Sequence, residues 1–232
     1  MECVVLAGGL GTRLQSVIGL YPKCMAQVNG QPFLHYIFDY LEKQKCTRVI
    51  LSLGFKHEVI IEWLQTQHRS FTVDYVIEET PLGTGGGISL ALTKALQDDV
   101  AVLNGDTMFR IDMQVMLAFH QATKSATTLA LKPMQQFERY GVVKTDDTKR
   151  IIAFEEKKYY AEGLINGGVY IVNKKELYAK QLPEKYSFEK DYFEAFVGEG
   201  KMYGFVSDAY FIDIGIPADY EKAQADFKVI TG

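Results

Sequence analysis

Residues 6–23 read L-A-G-G-L-G-T-R-L-Q-S-V-I-G-L-Y-P-K, a spacing suited to phosphate chemistry. Gly8, Gly9 and Gly11 strip side chains from a turn, so backbone N–H groups can approach and donate to a polyphosphate. Arg13 and Lys23 add fixed positive charge on either side of that turn. Together they predict a nucleoside triphosphate site. A merely structural turn would explain the glycines but not Arg13 or the Pro22-Lys23 pair. Two better-known phosphate motifs fit poorly. G-x-x-x-x-G-K-[ST] is absent, and G-x-G-x-x-G begins at Gly9 and Gly11 but meets Leu14 where the third glycine belongs. Leu14 therefore disfavours a dehydrogenase-type cofactor site.

Two carboxylates complement the cations. Asp106 closes Asn104-Gly105-Asp106 after an apolar run, and Asp213 stands inside Tyr210-Phe211-Ile212-Asp213-Ile214-Gly215. Mg²⁺ takes one or two carboxylates together with phosphate oxygens, and a strand-end acid suits it. Asn-Gly-Asp alone also fits an ordinary turn. An acid flanked by apolar residues is expensive to bury unless paired or metal-bound, so the two together predict a metal pair. A third segment, residues 78–87, reads E-E-T-P-L-G-T-G-G-G. Its glycines would admit a flat ligand, and its acidic side chains can accept N–H donors from guanine. A glycine run that simply opens a helix is the bland alternative; base binding is the favoured reading, because the loop should lie beside the phosphate loop at the sheet's carboxyl edge.

These segments need a frame that brings them to one edge. Apolar runs at 3–6, 48–53, 72–77 and 100–103 predict strands, and apolar residues at helical spacing in 32–45, 56–67 and 86–96 predict intervening helices. Such alternation implies a mostly parallel sheet covered on both faces. Ligands on these sheets lie beyond the carboxyl ends of the strands, where residues 8–13, 78–87 and 104–106 all fall. The second half is richer in strands, expected at 127–132, 141–144, 151–155, 168–172, 203–206 and 210–214. Helical pieces are expected at 174–178, 188–196 and 217–227. That half should complete the sheet and add a layer capping the site.

Composition narrows the class. With 47% apolar and 23% charged residues in 232, this is the profile of one ordinary globular domain. A net charge of −4 argues against nucleic-acid binding, and no apolar run approaches the ~20 residues of a membrane span. Three scattered cysteines make neither a disulfide framework nor a zinc site. With the first strand starting at once, no secretory signal is expected and a cytoplasmic location is. His35, His57, His68 and His120 read as scattered surface or helix residues rather than catalysts.

Taken in order, the motifs resemble the sugar-nucleotide pyrophosphorylases, nucleotidyltransferases acting on sugar 1-phosphates. That pattern stands here at residues 6–14, Pro22-Lys23, residues 82–86, Gly105-Asp106, Glu156-Lys157, residues 166–170 and residues 213–217. The resemblance implies a Rossmann-like α/β fold, with a nucleotide-binding half at about 1–125 and a β-rich sugar-binding half at about 126–232. It implies that Arg13 holds the β- and γ-phosphates, that Lys23 holds the α-phosphate and the sugar phosphate, and that Asp106 and Asp213 hold Mg²⁺. Leu6, Ala7, Gly8, Gly9, Gly11, Thr12, Glu79, Gly83, Thr84 and Gly105 should line the nucleotide, and Arg13, Lys23 and Asp106 should carry catalysis. Tyr140, Gly141, Glu156, Lys157, Asn166 and Gly167 should surround the sugar. Relatives commonly carry Pro where Cys24 stands and Trp where Phe211 stands; Phe211 keeps the aromatic ring, and Cys24 reads as a small filler.

Within the family, the P-L-G-T-G-G-x-I loop at residues 81–88, the compact N-G-D-T at 104–107 and the end point soon after Asp213 resemble the branch that guanylylates a manno-configured heptose 1-phosphate. The implied partners are GTP and that sugar 1-phosphate, with no nucleic acid and no membrane, and with a homo-oligomer compatible. Alternatives are the same reaction with mannose 1-phosphate and GTP, or with a UTP or dTTP donor and a hexose 1-phosphate. A catalytically inactive nucleotide-binding subunit is another, against which the retained Arg13, Lys23, Asp106 and Asp213 count.

Overall fold

Alternation within the first strand sets the layers. In β1 (Glu2–Leu6) the side chains of Cys3 and Val5 join one apolar core while Val4 joins another on the opposite face, and all three are fully buried. A strand buried on both faces must sit in the middle of a covered sheet. The computed structural model describes residues 1–9, 11, 14, 17, 19 and 21–230.

After β1 come the short hairpin strands β2 (Gln27–Val28) and β3 (Gln31–Pro32), then α1 (Phe33–Lys43), β4 (Arg48–Leu53), α2 (His57–Leu64) and β5 (Thr72–Ile77). The chain continues through α3 (Gly83–Leu92), β6 (Asp99–Asn104), β7 (Thr107–Phe109), α4 (Met113–Thr123) and β8 (Thr127–Phe137). The remainder is β9 (Val142–Thr145), β10 (Ile151–Glu155), β11 (Tyr160–Asn173), α5 (Lys174–Tyr178), a π-helical segment Phe188–Glu194, β12 (Met202–Val206), β13 (Phe211–Asp213) and α6 (Pro217–Ile230).

Seven strands form one sheet in the order β12-β8-β11-β6-β1-β4-β5. All neighbours are parallel except β11, which runs against both β6 and β8. The fold is therefore the expected α/β type, with a mostly parallel sheet and helices on both faces. From β1 the chain builds outward through β4 to β5, then crosses back to place β6 on the other side of β1. This reversal puts the loops after β1 and β6 together at the carboxyl edge. Gly105 N–H donates to the Leu6 carbonyl at 2.9 Å, and a Cβ at Gly105 would stand 2.4 Å from that oxygen, so only glycine allows so close an approach.

The capping layer arises from overlong strands. Only residues 127–132 and 168–172 are expected as strands, yet β8 and β11 run on to pair as far as Tyr160 opposite Phe137, with a register shift between Asn166 and Tyr170. Beyond that bulge the two strands leave the main core and pack a small cluster of Phe137, Val142 and Ile165 beside the β9–β10 ladder. Half-exposed polar positions there hide the strand from an apolar-run criterion. Strand β7 and helix α4 are also absent from the expected elements. Helix α4 carried a legible start signal: the Asp112 carboxylate accepts the N–H groups of Gln114 and Val115.

Helix α3 begins at Gly83, three residues before the expected Gly86. Its glycines face protein. A Cβ on Gly85 would lie 2.1 Å from the Tyr186 ring, and one on Gly86 would lie 2.3 Å from the Glu184 carbonyl oxygen. The expectation that this run clears space for a flat ligand is corrected for Gly85 and Gly86: they clear space for the 184–186 segment.

Candidate functional site

Two adjoining cavities open at the carboxyl edge of the sheet. The first, about 940 Å³, is walled by residues 6–9 after β1, 54–58 after β4, 77–84 after β5 and 104–106 after β6, with Lys23 and Cys24. The second, about 440 Å³, lies under the cap between residues 140–143, 154–157, 166–168 and the π-helical segment. Asn104 lines both, and Asp106 of the first stands across from Asp213 of the second.

At that junction the Lys23 Nζ bonds Asp106 Oδ2 and lies 3.4 Å from Asp213 Oδ1. The two acids are brought together by backbone. Strand β13 pairs antiparallel with β7, setting Asp213 opposite Thr107, and Ile214 N–H donates to the Asp106 carbonyl at 3.0 Å. Each carboxylate also accepts a neutral donor: Thr107 Oγ1 to Asp106 at 3.1 Å, and Gly215 N–H to Asp213 at 2.8 Å. Burial, and then the nearby Asp106 charge, hold the Asp213 carboxyl above its ordinary range, while Lys23 pulls the other way. Two partly buried carboxylates this close need a cation between them, and the Lys23 ammonium fills that place.

The three loop glycines have different surroundings. Gly8 packs against the Gly54 backbone, with a virtual Cβ 3.1 Å from the Gly54 nitrogen. Gly11 has a positive φ of 58° and lies against the Lys23 side chain. Gly9 has nothing within 4 Å of its virtual Cβ and faces the first cavity. Thr12 and Arg13 lie outside the described residues. Leu6, Ala7, Gly8, Gly9, Glu79, Gly83, Thr84 and Gly105 line the first cavity; Gly11 is not among its lining residues.

Of the adjacent acids, Glu78 is structural. Its Oε1 accepts Ser52 Oγ at 3.0 Å and its Oε2 accepts Leu82 N–H at 3.1 Å, which shapes the loop after β5. Glu79 is exposed at the cavity wall and has no hydrogen-bond partner among the described residues. The Cys24 thiol is buried, and burial together with the Asp106 charge pushes its pKa up to about 12, so it stays protonated filler.

Tyr140, Gly141, Glu156, Lys157, Asn166 and Gly167 all line the second cavity. Asn166 is held in place there, its amide donating to Tyr170 Oη at 3.0 Å and its carbonyl accepting Gly168 N–H at 3.0 Å. Sequence reasoning missed two sets of lining residues. Phe55, Lys56 and His57 follow β4 and were reachable by the same carboxyl-edge rule that located the other loops. Glu189, Lys190 and Glu194 come from the π-helical segment and Ser187 caps its start; a helical piece is expected at 188–196, but nothing local tells that it walls this cavity.

The family model described as Nucleotidyl transferase matches residues 2–229. The chain is 52% identical over 228 residues, 98% of its length and 99% of the relative's, to a D-glycero-alpha-D-manno-heptose 1-phosphate guanylyltransferase of Aneurinibacillus thermoaerophilus. It is 44% identical over 220 residues, 95% of its length and 97% of the relative's, to the enzyme of the same description from Campylobacter jejuni. The crystal structure of HddC from Yersinia pseudotuberculosis complexed with GMP-PN superposes with a TM-score of 0.88 at 39% identity, covering 97% of this chain and 99% of that one.

Proposed function

Because this chain belongs to the nucleotidyl transferase family, we propose that it transfers GMP from GTP to D-glycero-α-D-manno-heptose 1-phosphate, giving GDP-heptose and pyrophosphate. The observation that carries the reaction class is the junction of the two cavities at Lys23, Asp106 and Asp213. The substrate pair is supported by the near-full-length likeness to two guanylyltransferases of that description.

In this reading GTP occupies the first cavity and the sugar the second, so nucleotide contacts come from residues 1–125. Sugar contacts come from residues 126–232, with Asn104 and Thr107 crossing over. A phosphate oxygen of the sugar attacks the α-phosphorus, the bond from that phosphorus to the β-phosphate oxygen breaks, and pyrophosphate leaves. The attacking phosphate is already ionised, so no general base is needed. Alignment and charge neutralisation carry the rate. Lys23 reaches the junction and there bears on the α-phosphate and the incoming phosphate, while Arg13 holds the departing phosphates.

Asp106 and Asp213 offer hard oxygen donors, and with the Lys23 ammonium turned toward phosphate they would hold Mg²⁺ together with phosphate oxygens and water. No cluster of three or more His, Cys, Asp or Glu occurs among the described residues, and phosphate oxygens with water would complete the coordination. When bound, the metal supplies neutralising charge on the phosphates. Glu79, unpartnered at the wall, accepts from guanine N1 and N2. Such a pair favours guanine, because a base lacking both donors forfeits the paired hydrogen bond. No helix among the described residues is long and apolar enough to cross a membrane; we place the enzyme in the cytoplasm with its phosphorylated substrates.

The test is a matrix of nucleoside triphosphates against sugar 1-phosphates, read by pyrophosphate release. GTP with the manno-heptose 1-phosphate should be fastest, with mannose 1-phosphate a slow substitute. Faster release with UTP, dTTP, CTP or ATP would overturn the guanine assignment. Preference for a hexose would overturn the heptose and leave the reaction class standing.

A further inference from the structure

The π-helical segment walls the second cavity, and its first residues are fastened to the lip of the first by one side chain, Thr84. The Thr84 hydroxyl donates to Glu189 Oε2 at 2.9 Å and accepts the Phe188 backbone N–H at 2.9 Å. Ser187 Oγ donates to the same Glu189 oxygen at 3.2 Å and accepts the Lys190 N–H at 3.2 Å. Backbone bonds reinforce the joint: Gly85 N–H donates to the Tyr186 carbonyl at 3.0 Å, and Tyr186 N–H donates to the Leu82 carbonyl at 3.0 Å.

A hydroxyl has one proton and two lone pairs. Thr84 has its proton and one lone pair engaged by the wall of the neighbouring cavity, which makes it a poor ligand group and a good joint. The loop at residues 82–86 cannot shift against residues 186–189 without breaking these bonds or driving Tyr186 into Gly85, where a virtual Cβ already overlaps its ring. An occupant that fixes the loop in the first cavity therefore fixes Glu189 in the second, and the reverse must hold by linkage. We propose that Thr84 is a positioning residue that couples the two cavities through Glu189, so that each substrate tightens the binding of the other. This rests on reading the cavities as nucleotide and sugar sites.

Calorimetry with GDP and the heptose 1-phosphate tests the coupling without turnover, since these two cannot react to release pyrophosphate. Saturating sugar phosphate should tighten GDP roughly fivefold or more in the parent, within the usual range for coupled sites. Thr84→Val and Glu189→Ala should each reduce that factor to less than about twofold, the double variant should reduce it no further, and Thr84→Ser should restore it. A parent without coupling, a Thr84→Val protein that keeps the parental factor, or single effects that add would each overturn the proposal. Should Thr84→Val not fold, Glu189→Ala decides alone, because parental coupling in it is equally fatal. Failure of the functional reading is separate: the parent would then release no pyrophosphate from GTP, whatever the calorimetry shows.

Discussion

Lys23 and Asp106 form a hydrogen-bonded ion pair at the boundary between the two cavities, although one follows the glycine loop and the other stands in the turn between β6 and β7. With Asp213 at 3.4 Å from the same ammonium, the lysine bridges two carboxylates and offsets their repulsion. Lysine suits the place because its charge is a compact point on a flexible stem, able to turn from carboxylates to phosphates.

Lys23→Ala should therefore have two separable effects. Turnover should fall roughly a hundredfold or more while GTP affinity changes little, because in the proposed reaction the charge acts where phosphates react. Without ligand the variant should also melt lower than the parent, and added Mg²⁺ should recover more of its Tm than it adds to the parent's. Normal turnover with weak GTP binding would instead make Lys23 a ground-state anchor.

Asp106→Asn and Asp213→Asn keep the shape of the junction and remove one negative charge each. Each should lower kcat by roughly a hundredfold or more at saturating Mg²⁺ with far-ultraviolet circular dichroism unchanged. Near-native turnover in both would remove the metal assignment.

Gly85, packed on Tyr186, and Gly9, facing the first cavity, should respond differently to one added methyl. Gly85→Ala meets the Tyr186 ring and should destabilise the protein by about 1–3 kcal/mol, seen as a lower denaturation midpoint. Gly9→Ala has nothing within 4 Å to strike, so its midpoint should match the parent's while GTP affinity falls. Equal midpoints for the two variants would contradict the packing of α3 against residues 184–186.

His120 gives stability a pH dependence. It is buried with Nδ1 at 2.9 Å from Thr128 Oγ1, and its Nε2 lies 3.4 Å from Asp99 Oδ1 without a hydrogen bond. Burial holds its pKa below the ordinary 6.5, with Asp99 opposing. The unfolded chain then binds the proton first, so His120's contribution is intact above about pH 6.5 and is lost as pH falls toward the depressed native value. Thermal melts between pH 7.5 and 5.5 should show a shallower decline in His120→Gln. An identical slope would mean that His120 does not carry the dependence.

Chemistry and central frame were legible in the chain itself, because both depend on local pattern. Glycine spacing with Arg13 and Lys23, the acids Asp106 and Asp213 beside apolar runs, and β-branched and leucine-rich runs such as Arg48–Leu53 are visible without coordinates. The carboxyl-edge rule then placed those loops on one side of the sheet. Tertiary structure alone decided what pairs with what. Nothing near Gly85 in sequence tells that its missing side chain makes room for Tyr186, and nothing near Thr84 tells that its hydroxyl belongs to the Phe188–Glu194 wall. Such contacts join segments about a hundred residues apart, and their energies come from burial and close approach in space, which neither composition nor periodicity records.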